Sequence, residues 1–457
     1  LTDQALATVL ADELRGVVLR TPGMGWMELR PDGAVWSPLS DQVMLDRVSK
    51  LVAAIGGRIV LEAGLEKVSK FAVVGSKKKA SDVLALLAGQ LQEFDSVFDA
   101  KSFLFNCPNG VVNLRTKKFR KHKPSDRFLK VAGCDYIPGA VSREWLQAWS
   151  AVDEETAPWL RLRLGQALTG ERPADDRVLF LRGEGANGKS VIMDAVSLSI
   201  GGYGLAAPPR VLLSSPSDHS TELMTLKGVR MAFLEELPDQ HLSGAQLKRL
   251  SGPREITARL IGENNVSFPA AFSLFVTTNY PLRTPDTDYG TWRRFAIVPF
   301  FFKYVDEPVA ELQGERKRDG ALKRWSERVA DPGVLAWLID AAVDAERDKV
   351  AFTTLPRPVQ IATDEAEREN DTISQFCAER LVLEQGATLG KTEMHRAYAE
   401  WARGQGLSPA SGPTFRARFK STEFGKHVDE SRSSTARSWL GVRLAQRLPY
   451  VSEVPDV

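Results

Sequence analysis

The chain has 457 residues, 43% of them apolar and 26% charged, which excludes a chain disordered throughout. At about 150 residues per domain, the length predicts roughly three domains. Lys and Arg total 60 against 58 Asp and Glu; this net charge of +2 excludes a uniformly basic nucleic-acid coat but not a local basic surface.

No apolar run reaches the roughly 18 residues of a membrane helix, so no membrane partner is expected. Cys107, Cys134 and Cys377 lie far apart, which argues against a disulfide framework or a zinc site and fits a reducing, cytoplasmic compartment. The chain starts at Leu1 rather than Met, so an upstream module is an open expectation.

Thr2-Asp3 caps a first amphipathic helix, LTDQALATVLADELRG, whose internal acids are unlike a secretory signal. Turn signals at Pro22-Gly23 and Asp32-Gly33, with Trp26 and Trp36 flanking the second, predict a small hairpin. LEKVSKFAVVG and SDVLALLAGQLQEF read as helical. Asn109-Gly110 and Thr116-Lys117 mark tight turns between short strands. Between Arg115 and Lys130, eight Lys/Arg face one acid, Asp126; this strip is either a solvated face or a phosphate-contacting surface.

Residues 140–170 read as helical, with Trp145, Trp149 and Trp159 spaced for a packed face. From 175 to 302 the apolar runs VLFLR, RMAFLEE, SLFVTTN and FAIVPFF alternate with helical or polar segments, the signature of an α/β sheet domain. Residues 303–371 are charged and helical. Residues 372–446 read as several short helices followed by a hairpin.

The strongest motif is GEGANGKS: Gly183, Glu184, Gly185, Ala186, Asn187, Gly188, Lys189 and Ser190. It matches GxxxxGK[ST] and sits between a predicted strand and a predicted helix, as a phosphate loop requires. Glycines let backbone N–H groups turn inward around phosphates, and the helix N-terminus adds its positive end. Lys189 would reach the terminal phosphates of ATP and Ser190 would ligate Mg²⁺. The bland alternative is a glycine turn that happens to contain Lys-Ser.

A phosphate loop also needs a carboxylate for the metal and a group that orients water. The run RMAFLEE ends in Glu235 and Glu236, 46 positions after Lys189. Glu235 is expected at the Mg²⁺ and Glu236 at the attacking water, though the two roles could be exchanged. Asn279 ends the strand SLFVTTN, where a polar residue faces the ligand crevice; alone it would be a turn former ahead of Pro281. Gly262 to Asn265 marks a hairpin turn between ITARLIG and NVSFPA. Arg293 and Arg294 precede a strand, which is either a surface ion-pair site or the place of an arginine finger.

In this order the features resemble the superfamily 3 helicases, specifically the phage/plasmid primase family with its poxvirus-primase-helicase-like domain. The stretches that carry the likeness are GEGANGKS, STELMTLKGVRMAFLEEL, LKRLSG with ITARLIGENNVSF, and SLFVTTN with GTWRRFAIVPF. The resemblance implies an α/β fold with an AAA+-like P-loop core at 175–305. Around it come an α+β helicase-associated domain at 1–139, a helical connector at 140–174, a helical segment at 306–371 and a winged-helix-like domain at 372–447.

The resemblance also implies an ATP-driven replicative helicase, a hexameric ring translocating on single-stranded and forked DNA, encoded by a phage or plasmid in a bacterial cytoplasm. Arg294, or else Arg293, matches the finger. The hairpin from Arg259 to Phe268 matches a DNA-tracking element, and Lys248, Arg254, Arg259, Asn264 and Asn265 are the expected DNA-binding residues. The tip carries Asn264-Asn265 where related helicases often place Lys or His. No polymerase-type acidic motif is apparent in 1–150, so a primase module would lie upstream or act in trans. Between Arg416 and Arg447, eight Lys/Arg face three acids, which suits a winged helix on DNA or, alternatively, a solvated helical cap. An ATP-switched origin-binding initiator or loader is the alternative function.

Overall fold

The computed structural model describes residues 2–63, 76–213, 221–259, 265–284, 286, 288–309, 314–405, 407, 409–432 and 437–445. The helix predicted within LEKVSKFAVVG and the hairpin residue Asn264 lie outside them.

Helix α1 (Asp3–Leu14) is capped by the Thr2 side chain, which accepts from the Ala5 amide. Strands β1 (Val18–Thr21), β2 (Gly25–Leu29) and β3 (Trp36–Leu39) form an antiparallel sheet, so the predicted Trp26/Trp36 hairpin is present with one more strand beside it. Helices α2 (Asp41–Ala63) and α3 (Lys77–Gln90) complete this unit, whose core includes Leu10, Met44, Val48 and Val83. A second small sheet follows: β4 (Leu104–Cys107), β5 (Gly110–Asn113) and β6 (Phe119–Arg120). Its turns fall at Asn109 and Lys117, and Lys117 takes the left-handed backbone that a tight turn uses.

Helices α4 (Arg143–Trp149) and α5 (Ala157–Leu168) lead into β7 (Val178–Arg182). Next come α6 (Lys189–Ile200), β8 (Gly204–Ala206), α7 (Thr221–Met224), β9 (Met231–Leu234), α8 (Gly244–Ser251), β10 (Glu255–Ala258), β11 (Val266–Pro269), β12 (Ser273–Thr278), α9 (Tyr289–Trp292) and β13 (Phe295–Pro299). Five of these strands make one parallel sheet in the order β13-β7-β12-β9-β8, which is 5-1-4-3-2 by chain order. The three central strands are buried apart from Arg182, the condition under which strands read as continuous apolar runs.

The sheet separates two cores. On one face lie β10–β11, α8 and Ala366 of the later helix α12 (Arg357–Asn370). On the other lie α4, α5, α6 and α11 (Pro332–Arg347), together with Phe105 and Val112 of the second small sheet. The helices sequence reading assigned to a connector and to a separate later segment are thus one packed layer. Gly165 makes this possible, because a Cβ there would stand 2.2 Å from the Ala341 carbonyl carbon. Trp145 and Trp149 both pack edge-on against Trp337, and the Trp159 indole donates to the Phe352 carbonyl at 2.8 Å.

Between β13 and α11 lie the parallel pair β14 (Lys303–Val305) and β15 (Glu315–Lys317), then α10 (Gly320–Ser326). The last unit runs α13 (Thr372–Arg380), β16 (Leu381–Gly390), α14 (Lys391–Gly404), α15 (Gly412–Ser421), α16 (Glu423–Lys426), β17 (Asp429–Arg432) and β18 (Arg437–Leu444). Its sheet is ordered β16-β18-β17 around Phe376, Tyr398, Phe415, Phe419 and Trp439. Sequence reading missed β16. The strand is mostly exposed and its register shifts between Leu383 and Thr388, so no alternation of apolar residues marks it.

Arg230, one residue before β9, is buried and joins three parts of the chain. It donates to the Leu168 carbonyl at 2.6 Å and the Leu104 carbonyl at 2.9 Å, and its guanidinium lies 4.6 Å from the Tyr203 ring centre. Arg230→Ala would leave both carbonyls unsatisfied. We expect a loss of about 3 kcal/mol in equilibrium denaturation.

Candidate nucleotide site and nucleic-acid surface

The glycine-rich loop leaves the carboxyl end of β7 and enters α6. Gly185 (φ 99°), Ala186 (φ 49°) and Gly188 (φ 86°) all take left-handed backbone, the arrangement that turns successive N–H groups toward one point. Close packing holds the loop in place. A Cβ on Gly183 would meet the Asn187 side-chain Nδ2 at 1.9 Å, and the Tyr304 backbone amide donates to the Ala186 carbonyl at 2.7 Å.

Lys189 is buried, and its ammonium donates to Gly183 O at 2.8 Å, Asn187 Oδ1 at 2.9 Å and Asn279 Oδ1 at 3.0 Å. All three partners are neutral, and burial lowers the Lys189 pKa to about 8. Asn279 arrives from β12, the strand next to β7, where Thr278 pairs with Arg182. Glu235 and Glu236 are exposed just past β9, on the other side of β12. Glu236 is left-handed (φ 51°), and its amide donates to Thr277 Oγ1 at 3.1 Å. Lys189, Asn279 and the acid pair thus emerge from carboxyl ends of adjacent parallel strands, where ligands of open α/β sheets bind.

A cavity of about 720 Å³ opens beside the loop, lined by Ala186, Gly188, Val191, Tyr304, Leu322 and Arg316 among others. A second, of about 550 Å³, touches Gly183 and Glu184 on the β13 side. Sequence reasoning missed Asp194 on α6. Burial, then Glu235 and Glu327, raise its pKa to about 6. Its only sequence signal is its place one helical turn beyond Ser190.

The two arginines differ in exposure. Arg294, the preferred finger in sequence reading, is buried, donates to the Gly290 carbonyl and lies 3.7 Å from Asp176. Arg293 is the exposed member, with 40% side-chain exposure, and lies 3.2 Å from the same Asp176.

The predicted DNA hairpin is present as β10–β11, with Ile256 facing Phe268 and Thr257 facing Ser267. Arg254 is exposed at its base, and Arg259 and Asn265 are exposed at its far end. Lys248 sits elsewhere in the electrostatics: it bonds Asp288 at 2.9 and 3.0 Å and ties α8 to the turn before α9.

The basic strip at 115–130 divides: four of its eight basic residues form ion pairs within the chain, while Lys118, Lys121 and Lys123 are exposed. Arg115 pairs with Glu171 and Glu346, Lys117 with Asp340, Arg120 with Asp126 and Arg127 with Glu93. In the last unit Lys420 donates to Val428 O at 2.5 Å, Lys426 pairs with Glu423 and Arg443 with Glu384.

Fold and site together define a mixed α/β protein built on a five-stranded parallel sheet. The fold is similar to the solved apo structure of the NrS-1 C-terminal region (305–718), with a TM-score of 0.52 over 96% of this chain and 99% of that one at 10% identity. The more particular resemblance, to poxvirus primase-helicase-like proteins, holds at both ends of the chain. The family model "D5 N terminal like" matches residues 7–158, and "Poxvirus D5 protein-like" matches residues 368–436.

African swine fever virus "Putative primase C962R" is 23% identical over 336 residues, 68% of this chain and 34% of that protein. Acanthamoeba polyphaga mimivirus "Putative helicase L207/L206" is 27% identical over 235 residues, 49% of this chain and 24% of that protein. The chain therefore spans about a third or less of these curated relatives. They come from eukaryotic viruses and give the expected bacterial host no support. Among the described residues no helix is long and apolar enough to cross a membrane.

Proposed function

We propose that this chain is the ATP-driven motor part of a replicative primase-helicase. The observation that carries the reading is the convergence on Lys189. A buried ammonium with only neutral partners lies within hydrogen-bond reach of Asn279, at strand ends that also present Glu235 and Glu236. Such an ammonium calls for an anion, and the loop at 185–188, left-handed at Gly185, Ala186 and Gly188, offers backbone donors to the same anion. The 5-1-4-3-2 strand order supports an AAA+-like assignment, and the order of 372–444, a helix, a strand, two helices, a one-turn helix and a hairpin, supports a winged helix.

ATP phosphates would rest on residues 183–190, with Asn187 Nδ2, buried and without a hydrogen-bond partner among the described residues, aimed into the same loop. The base would enter the cavity beside Ala186 and Tyr304. Mg²⁺ would be held by Ser190 and Glu235. Among the described residues no cluster of three or more His, Cys, Asp or Glu forms a ready metal cage. An Mg²⁺ ion here would be bound through one carboxylate, a hydroxyl and substrate phosphates. The ion would supply charge neutralisation at the phosphates. Glu236, fixed by Thr277, would orient and deprotonate water, and Asn279 would sense the terminal phosphate.

Arg293 would act in trans on the nucleotide of a neighbouring copy in a hexameric ring, with Arg294 as its buried support. The β10–β11 hairpin would touch single-stranded DNA through Arg254, Arg259 and Asn265. ATP hydrolysis measured with and without single-stranded DNA tests this. We expect stimulation of about tenfold that falls to about twofold in Arg254→Ala/Arg259→Ala, with a shallower salt dependence. Hydrolysis indifferent to DNA would sink the motor reading.

A further inference from the structure

Two carboxylates in the turn ahead of β7 gather five arginines. Asp175 takes Arg163 at 2.9 Å and Arg177 at 3.1 Å. Asp176 takes Arg172, Arg293 at 3.2 Å and Arg294 at 3.7 Å. Asp176 is left-handed (φ 56°), and its side chain is 12% exposed. One carboxylate thus faces three guanidinium groups. The next acid near Arg294 is Asp288, which is engaged by Lys248 and the Thr291 hydroxyl. The cluster carries more positive charge than its own acids balance, and Arg294 Nε has no hydrogen-bond partner among the described residues.

The cluster stands on a rigid joint. Val178, two residues after Asp176, pairs with Phe295, the residue after Arg294, and the Val178 amide donates to the Arg294 carbonyl at 2.8 Å. The strand that feeds the phosphate loop and the segment that carries both arginines are therefore locked in register. Asp176 reaches from the first to the second.

We propose that Asp176 is a positioning residue for the arginine that acts in trans. It fixes the direction of Arg293, with Arg172 and Arg294 packed around it, so that the excess positive charge is presented to the polyphosphate of a nucleotide held by a second copy of this chain. This rests on the reading of Arg293 given above. Orientation matters at this level, since a misplacement of about 1 Å can cost a hundredfold in rate.

Asp176→Asn is the clean variant, because asparagine also tolerates left-handed backbone and matches aspartate in shape. In the full chain we expect kcat for ATP hydrolysis to fall roughly tenfold, with KM for ATP within about twofold, because the chain's own phosphate loop is untouched. On an Arg293→Ala background the same change is expected to cost nothing further, since both residues act through one group.

Full activity of Asp176→Asn beside an inactive Arg293→Ala overturns this proposal alone, as does a tenfold loss that multiplies on the Arg293→Ala background. Full activity of Arg293→Ala overturns the reading beneath it and this proposal together. If Asp176→Asn melts more than about 5 °C below the unaltered chain, the cycle is repeated at a temperature where all variants are fully folded; a tenfold loss of kcat there supports the proposal and full activity overturns it.

Discussion

Lys189→Ala is expected to abolish ATP hydrolysis, lowering kcat/KM by at least about a thousandfold, or about 4 kcal/mol of transition-state stabilisation. The ammonium donates at 2.8–3.0 Å to three neutral oxygens that a bound polyphosphate would outcompete as partner. Its pKa of about 8 gives the prediction a second readout. An anion raises this pKa, so binding favours the charged form. ATP affinity is therefore expected to be full below pH 8 and to decline as pH rises through 8, and Lys189→Ala is expected to lack that decline. Stability is expected to move the other way. Because the folded-state pKa lies below the usual lysine value, charging the amine opposes folding below pH 8, and this penalty fades as pH rises from about 8 toward 10.5. Loss of activity in Lys189→Ala should thus come without loss of fold, checked by titrating a fluorescent nucleotide across pH 6.5–9.5 beside thermal melts.

The second large effect concerns the arginine in trans. Arg293→Ala alone is expected to lower kcat by about a thousandfold, within the range known for arginine fingers. Mixed with Lys189→Ala subunits it should recover part of the activity, because some interfaces then join an intact Lys189 to an intact Arg293 of the neighbour. The same mixing with Arg294→Ala separates the two arginines. Arg294 is buried against Gly290 and Asp176, so its removal is expected to lower the melting temperature as well as activity. No recovery in assemblies shown by mass to be mixed would argue that Arg293 acts within its own subunit.

Features written in consecutive residues were legible in the sequence. GEGANGKS announced a strand–loop–helix, four apolar runs announced buried strands, and Glu235-Glu236 and Asn279 marked the ends of two adjacent strands. Paired turn residues likewise announced the small sheets of the first 120 residues. Features made by side chains distant in the chain were not legible. Nothing near Arg115 or Lys117 says that Glu346 and Asp340, more than 200 residues later, neutralise them. The choice between Arg293 and Arg294 turns on which one is buried against Gly290 and which stays exposed, although both meet Asp176. Asp176 itself looks like one acid in a polar turn until three arginines meet on it. The helices at 143–168 and 332–347 each read as separate segments because the small residues that let them merge, Gly165 against Ala341, matter only once they are side by side.

The central claim, that this chain converts ATP hydrolysis into strand separation, is tested most directly by displacement of a labelled strand from a forked duplex. Displacement by the unaltered chain is expected to require ATP and Mg²⁺ and to be absent from Lys189→Ala at equal DNA occupancy. Displacement retained by Lys189→Ala, or none from a chain that binds the fork and hydrolyses ATP, would contradict it.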